Sequence, residues 1–164
     1  MKSGAHTDVC ALFIPREVTM ELTFQPAQKE DIDVLFRFNR DLIDRYEDVQ
    51  DIPYEGVLSW VRRKIEENIH SYTRIYADGH HAGFYRLIPN GKEMELDDLY
   101  IFPEFQNRGI GTRILEKCCR ESNCPVMLYV FSRNTGALTL YRRMGFEIRE
   151  KIHNSRYIMV RENL

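Results

Sequence analysis

Residues Gln106-Asn107-Arg108-Gly109-Ile110-Gly111-Thr112 form a short glycine-bearing loop. It lies between the strand-like run Met94 to Phe102 and the apolar-periodic run Thr112 to Cys119. Backbone N–H groups converge at such a place. A helix N-terminus leaves four of them without an intrahelical acceptor, and the helix dipole adds partial positive charge. Gly109 and Gly111 carry no Cβ to hold a large anion away from the main chain. The chemistry this allows is capture of a pyrophosphate, and so of a phosphate-bearing cofactor. A Walker A loop would need Gly-Lys-Ser/Thr, whereas Gly111 is followed by Thr112 and Arg113. A dinucleotide fingerprint would need a third small residue where Ile114 stands. Taken alone, the loop suits an ordinary strand-to-helix turn equally well.

Three carboxylates precede the loop on the strand-like run: Glu95, Asp97 and Asp98. Residues two apart on a strand share a face, so Glu95 and Asp97 are expected together and Asp98 on the opposite side. Downstream, Asn134 stands immediately before a helical run, a position that suits an N-cap. Tyr141 falls on that run beside Leu138 and Leu140, where an aromatic ring would ordinarily be core.

The stretch Glu95-Leu96-Asp97-Asp98-Leu99-Tyr100-Ile101-Phe102-Pro103-Glu104-Phe105-Gln106-Asn107-Arg108-Gly109-Ile110-Gly111 resembles the signature of the GNAT superfamily, the acyl-CoA-dependent N-acyltransferases. In that family a strand ends in a V-x-P-x-[FY] run and continues into [QR]-x-x-G-x-[GA]. A second stretch, Asn134 to Glu147, resembles the family's N-x-x-A-x-x-[LF]-Y-x-x-x-G-F. The two stand in the family's order at plausible spacing. The resemblance is strong over residues 94–150, weaker over 20–93 and absent over 1–19.

The resemblance implies acetyl-CoA as co-substrate, held at Gln106, Asn107, Arg108, Gly109, Ile110, Gly111, Thr112 and Arg113. Backbone amides of Arg108 to Arg113 would hold the pyrophosphate, and the Arg108 and Arg113 side chains could add charge-assisted contacts. The main chain of Leu99, Tyr100 and Ile101 would pair with the pantetheine arm as though with another strand. Asn134 matches the asparagine that hydrogen-bonds the pantetheine, and an amide can both donate and accept. Tyr141 matches the tyrosine placed beside the cofactor sulfur. A phenol, with a pKa of about 10, stays protonated at neutral pH and can give its proton to a departing thiolate. The amine must lose a proton, and family members place an acidic base at either equivalent position on this strand. Asp97 ranks first and Glu95 second. The plainer alternative is that these carboxylates only keep the cleft negative.

The resemblance implies a primary amine as acceptor, on a small molecule or a peptide, with polyamine, aminoglycoside, amino acid and protein lysine or N-terminus all open. Residues 41–55 carry Asp41, Asp44, Glu47, Asp48, Asp51 and Glu55 against a single Arg45. Such a wall would concentrate a cationic amine, although the same residues also suit a solvated helix end. The competing reading is a non-catalytic acyl-CoA-binding or regulatory module of the same fold. Retention of Asn134, Tyr141 and the Glu95/Asp97 pair favours the enzyme.

Elements that could position these groups follow from periodicity and turn residues. A strand is expected over Glu21 to Gln25. A helix follows the Pro26–Asp31 start region, with Ile32, Leu35, Phe36, Ile43 and Tyr46 at helical spacing. A second helix is expected from Tyr54 to Ile69. Strands Ser71 to Ala77 and Ala82 to Ile88 flank Asp78-Gly79, a strong hairpin signal. Strand Met94 to Phe102, helix Thr112 to Arg120, strand Val126 to Phe131 and helix Thr135 to Met144 come next. Strands Phe146 to Lys151 and Arg156 to Arg161 close the chain. The order βααβββαβαββ is α+β, and the resemblance implies a mixed, mostly antiparallel central sheet flanked by helices.

A chain of 164 residues with 43% hydrophobic content suffices for one domain with a sizeable core. That domain is expected over residues 20–164, with 1–19 as a loosely ordered N-terminal extension. With a net charge of −2, nothing argues for nucleic acid or an anionic membrane as an obligate partner, and neither is expected. No apolar run is long enough to span a bilayer, so the expected location is cytoplasmic, as a monomer or homodimer. Cys10, Cys118, Cys119 and Cys124 show no metal spacing and read as small buried hydrophobes in a reducing compartment. The histidines are scattered, and no metal site is expected.

Overall fold

The computed structural model describes residues 19–163. The expected N-terminal extension and Cys10 therefore lie outside the described residues, apart from Thr19. Strand β1 (Leu22–Pro26) leads into helix α1 (Ile32–Tyr46) through a short 3-10 turn at Lys29–Asp31. The Gln28 N–H donates to Asp31 Oδ2 at 2.7 Å, satisfying a donor that helix entry would otherwise orphan. Leu35 and Ile43 put one face of α1 into the core. Helix α2 (Tyr54–Asn68) starts after Pro53 and buries Val61 and Ile65.

Strands β2 (Thr73–Ala77) and β3 (His80–Asn90) meet at Asp78 and Gly79, with φ of +48° and +80°. Positive φ at both central residues is what a two-residue hairpin matching sheet twist requires. Strand β4 (Glu93–Ile101), helix α3 (Ile110–Glu121), strand β5 (Val126–Phe131) and helix α4 (Thr135–Arg143) follow. Strands β6 (Glu147–Ile152) and β7 (Arg156–Arg161) complete the described chain. All eleven predicted helices and strands are present in the predicted order.

The strands form one sheet in the order β1-β2-β3-β4-β5-β7-β6. Every neighbouring pair is antiparallel except β4 and β5. Helices α3 and α4 cover one face, where Ile110, Ile114, Leu115 and Leu138 join Ile75, Leu96, Leu128, Val130 and Met159. Helices α1 and α2 cover the other, where Leu35, Ile43, Val61 and Ile65 pack with Tyr72 and Phe84. Cys118 and Cys119 are both buried in the first cluster. Burial pushes the Cys118 thiol up to about 12, as an inert core cysteine should be.

Two irregularities position the site. The parallel pairing of β4 with β5 is confined to Met94 with Val126 and Glu95 with Met127. Beyond those pairs the strands part, while β5 stays paired with β7 along its whole length. A wedge therefore opens between the C-terminal halves of β4 and β5.

The second irregularity is a bulge in β4. Arg86 pairs with Asp98 and Leu87 with Leu96, so Asp97 is the extra residue. Side-chain alternation restarts after it. Leu96 and Leu99, three apart, both reach the α3–α4 face, while Tyr100 and Phe102 reach the α1–α2 face. Asp97 meets Lys64 of α2 and Asp98 meets Tyr72. The expectation that Asp98 points away from Asp97 is thus corrected. The bulge turns both carboxylates to the α1–α2 side.

Candidate active site

Helix α3 begins at Ile110, two residues before the apolar periodicity placed it. Gly109 is its N-cap in the left-handed region at φ +78°, and Gly111 falls in the first turn. The first backbone bond of this turn runs from the Arg113 N–H to the Gly109 carbonyl at 3.1 Å. Among the described residues, no N–H from Asn107 to Thr112 has a backbone or side-chain acceptor. These donors converge where the helix dipole is positive, which is the arrangement a pyrophosphate needs. A Cβ on Gly111 would meet only Leu140 Cδ2, at 3.7 Å, so the space over this turn is open.

The side chains of the loop have separate tasks. Gln106 Nε2 donates to the Ile101 carbonyl at 2.9 Å and ties the loop back to β4. Arg108 stacks over Phe105 at 5.5 Å. Arg113 Nη1 donates to the Met20 carbonyl at 2.7 Å, so its charge is engaged at the start of β1.

The main chain beside the wedge follows from strand alternation. The Phe102 N–H donates to the Ala82 carbonyl at 2.8 Å, and Tyr100 pairs with Phe84 of β3. Backbone groups alternate sides along an antiparallel strand, so those of Leu99 and Ile101 face the wedge. Of the three expected pantetheine-pairing residues, Tyr100 is the one turned to β3. Gly83 makes this close pairing possible, because a Cβ there would lie 2.0 Å from the Tyr100 carbonyl oxygen. The Tyr100 ring instead stacks on Phe38 of α1, centroids 4.0 Å apart and 10° from parallel.

Asn134 caps α4, its Oδ1 accepting the Ala137 N–H at 3.2 Å. The capping role and a free amide NH2 are compatible in one side chain. Tyr141 is half-buried, with its ring 5.9 Å from that of Phe146. Among the described residues its hydroxyl has no hydrogen-bond partner. Burial first, and then the Asp98 carboxylate, push this hydroxyl up to about 12. The phenol is therefore fully protonated near neutrality and lies within electrostatic reach of Asp98.

The three carboxylates differ sharply in surroundings. Asp97 has both oxygens taken, Oδ1 by Lys64 Nζ at 2.7 Å and Oδ2 by Arg86 Nη1 at 2.8 Å. Glu95 accepts from Asn90 Nδ2 at 3.0 Å, and burial, then the Asp97 charge, raise its proton affinity. Asp98 is only 8% exposed. It accepts from the Tyr72 hydroxyl at 2.9 Å, and burial, followed by the neighbouring Asp97 charge, pushes it up to about 6. Lys64, Tyr72 and the Asn39 amide act against that rise.

Sequence reasoning missed Asp98, Tyr72, Asn39, Lys64 and Arg86 as members of this site. One signal was available. Met94 and Leu96 are two residues apart but Leu96 and Leu99 are three apart, with Asp97 and Asp98 adjacent between them, which is the mark of a phase slip.

The acidic stretch 41–55 partly spends its charge on structure. Asp44 accepts from the Tyr54 hydroxyl at 2.5 Å. Glu47 accepts from Ser155 Oγ at 3.1 Å and pairs with Arg156 at 3.9 Å. Arg156 in turn lies over the Phe131 ring at 4.5 Å. These contacts draw the end of α1 and the β6–β7 turn together beside the C-terminal end of β5. Asp41, Asp48, Asp51 and Glu55 remain exposed. Among the described residues there is no cluster suited to a metal ion, and no helix is long and apolar enough to cross a membrane.

Such a wedge, opening beside a helix N-terminus in a seven-stranded, mostly antiparallel sheet, defines the α+β acetyltransferase architecture. Residues 35–146 match the acetyltransferase (GNAT) family, and the chain belongs to it. It is 34% identical over 62 residues to an uncharacterised N-acetyltransferase of Methanocaldococcus jannaschii, covering 35% of this chain and 27% of that protein. It is 38% identical over 74 residues to a mycothiol acetyltransferase of Clavibacter sepedonicus, covering 43% and 24%. The matched segments span about a quarter of the length of these curated relatives. Among solved structures, the PaiA N-acetyltransferase of Thermoplasma acidophilum in complex with coenzyme A superimposes with a TM-score of 0.63 at 22% identity, covering 87% of this chain and 99% of that one. The ribosomal-protein-S18-alanine N-acetyltransferase of Escherichia coli superimposes with a TM-score of 0.57 at 16% identity, covering 87% and 94%. These structures share the fold.

Proposed function

We propose that residues 20–164 form an N-acetyltransferase that moves an acetyl group from acetyl-CoA to a primary amine by direct attack in a ternary complex. One observation carries the reading. The wedge runs from an unsatisfied N–H cradle, past the main-chain edge of Leu99 and Ile101 that β3 leaves unpaired, to a protonated Tyr141 within the field of Asp98. The coenzyme A complex of the Thermoplasma relative supports a CoA-based donor.

Acetyl-CoA supplies an acyl group activated as a thioester. The cradle at Asn107 to Thr112 binds its pyrophosphate, Leu99 and Ile101 align the arm, and Asn134 offers its amide NH2 to it. Asp98 accepts the proton that the ammonium form of the acceptor must lose, directly or through water. It suits that task better than Asp97, whose oxygens are both held by cations; Glu95, also raised by burial and with one oxygen bound by Asn90, is the second candidate. A base with a pKa of about 6 is largely ionised at pH 7 yet still basic. Tyr141 holds its proton until charge develops on the departing sulfur, then donates it to make the thiol, and is reprotonated by the second proton that the nitrogen sheds, directly or through water, as it becomes the amide. The exposed acids Asp41, Asp48, Asp51 and Glu55 favour a cationic amine, on a small molecule or a peptide.

The alternative, a non-catalytic acyl-CoA binder, has no use for an acid beside the sulfur or a base of raised pKa. A panel of amines with acetyl-CoA, read by free thiol and by product mass, tests the choice. A no-acceptor blank is needed because the chain has its own cysteines. Amine-dependent thiol release with matching acetylated product is expected. Binding of acetyl-CoA without turnover of any amine would favour the binder.

A further inference from the structure

Asp97 has a geometry that serves neither proton transfer nor simple solvation. Its side chain is about as buried as that of Asp98, yet it binds two cations from two different elements. Arg86 of β3 is buried, with its Nε donating to Ser71 Oγ at 2.6 Å and its guanidinium 5.4 Å from the centre of the Tyr72 ring. Ser71 Oγ donates onward to the Asn68 carbonyl at the end of α2, at 2.7 Å. Lys64 lies one turn before that end. The unpaired residue of the β4 bulge is therefore tied to α2 by Lys64 and to β3 by Arg86. The same Tyr72 whose ring flanks Arg86 donates its hydroxyl to Asp98.

We propose that Asp97 is a positioning residue, an anionic pin that locks the β4 bulge between Lys64 and Arg86 so that Asp98 turns to the α1–α2 side beside Tyr72, and that offsets the Lys64 charge at Asp98. The proposal rests on Asp98 as the base. Without the bulge, strict alternation would put Asp98 on the face of Leu96, against α3. Without the Asp97 charge, Lys64 and Arg86 would lose their shared partner, and Lys64 would be left facing Glu95 and Asp98.

The groups facing Asp98 set the direction of the effect. They are Asp97 on its own strand, Lys64 from α2, Tyr72 from the segment after α2, Arg86 from β3, the uncharged Asn39 from α1 and Tyr141 from α4. Asp97 raises the proton affinity of Asp98 and Lys64 lowers it. Deleting the anion and deleting the cation should therefore move Asp98 in opposite directions. A purely structural role for the cluster would lower activity at every pH alike.

The test is the pH profile of kcat/KM, normalised to neutral amine, for wild type, Asp97→Asn, Lys64→Met, Asp97→Glu and Asp98→Asn. The acid limb of Asp97→Asn is expected to move down by about one pH unit, with plateau kcat reduced about tenfold as the base weakens. The limb of Lys64→Met is expected to move up, and Asp97→Glu to restore the wild-type limb. The KM for acetyl-CoA should be unchanged throughout. If Asp98→Asn abolishes the limb while neither Asp97→Asn nor Lys64→Met shifts it, the pin is overturned and the base stands. If Asp98→Asn keeps both rate and limb, the base assignment fails. Loss of the limb in Asp97→Asn itself would make Asp97 the base and overturn the pin. Should Asp97→Asn not fold, the upward shift in Lys64→Met decides alone, since an unmoved limb there contradicts the proposal.

Discussion

Asp98 and Tyr141 come from opposite faces of the sheet and act on each other only because β4 and β5 part between them. Two outcomes belong to this scale. With Asp98 at about 6, kcat/KM normalised to neutral amine should rise with pH through that value. In Asp98→Asn the rise should vanish and activity should fall about 10²-fold or more. Stability responds with the reverse sign. Burial makes the folded chain hold the Asp98 proton more tightly than the unfolded chain does. The residue's favourable contribution is thus complete at acid pH and falls as pH climbs from about 4 towards 6. Asp98→Asn should flatten the dependence of Tm on pH in that window, as calorimetry at a series of pH values would show. At this scale the sequence was only partly legible. Asn134, Tyr141 and the glycine loop entered as candidates by motif, but Asp98 was set apart from Glu95 and Asp97 on unbroken alternation. One bulge residue overturned the facing of Asp98, and the ion pairs that occupy Asp97 come from Lys64 and Arg86, residues too distant in the chain to announce themselves.

The elements themselves were well marked, because each carries its own periodicity and punctuation. Strands β5 and β7 occupy the spans expected of them, Val126–Phe131 and Arg156–Arg161, and the Asp78-Gly79 turn forms as its residues require. The start of α3 was placed late, since apolar periodicity cannot see a first turn built from Ile110 and Gly111. That shift bears on the cradle, because it puts Gly111 inside the turn whose N–H groups are unsatisfied. Gly111→Val should fold, as a Cβ there makes only ordinary contact with Leu140, but should lose the rise in Tm that acetyl-CoA confers on wild type. An undiminished rise in the folded variant would move the donor site elsewhere. Gly83 gives the complementary case of an element held by close approach. With a Cβ 2.0 Å from the Tyr100 carbonyl oxygen, Gly83→Ala must separate β3 from β4. A loss of about 2 kcal/mol or more is expected, read from the urea midpoint.

For the molecule as a whole, periodicity carried the element order and the family resemblance the mixed, mostly antiparallel sheet, and the crossover through α3 is what a parallel β4–β5 pair requires. The wedge itself was not legible from local pattern. It arises because pairing stops after Glu95 and Met127, a property of two strands together and not of either sequence. A ligand entering the wedge joins the two halves of the sheet and binds only the folded state. Acetyl-CoA at a hundredfold excess over Kd should therefore stabilise the chain by about 2.7 kcal/mol. In the proposed reaction, binding rests on main-chain groups of Leu99, Ile101 and the cradle together with the Asn134 amide, and chemistry on the side chains of Asp98 and Tyr141. Tyr141→Phe divides the two most directly, since it removes one hydroxyl and keeps the ring. The measurement is kcat with a working amine and Kd for acetyl-CoA by calorimetry, on the same preparation. The account predicts that kcat falls about 10- to 1000-fold, or roughly 1.4 to 4 kcal/mol of transition-state stabilisation, while Kd is nearly unchanged. An unaltered kcat, or a Kd that collapses together with kcat, would contradict it.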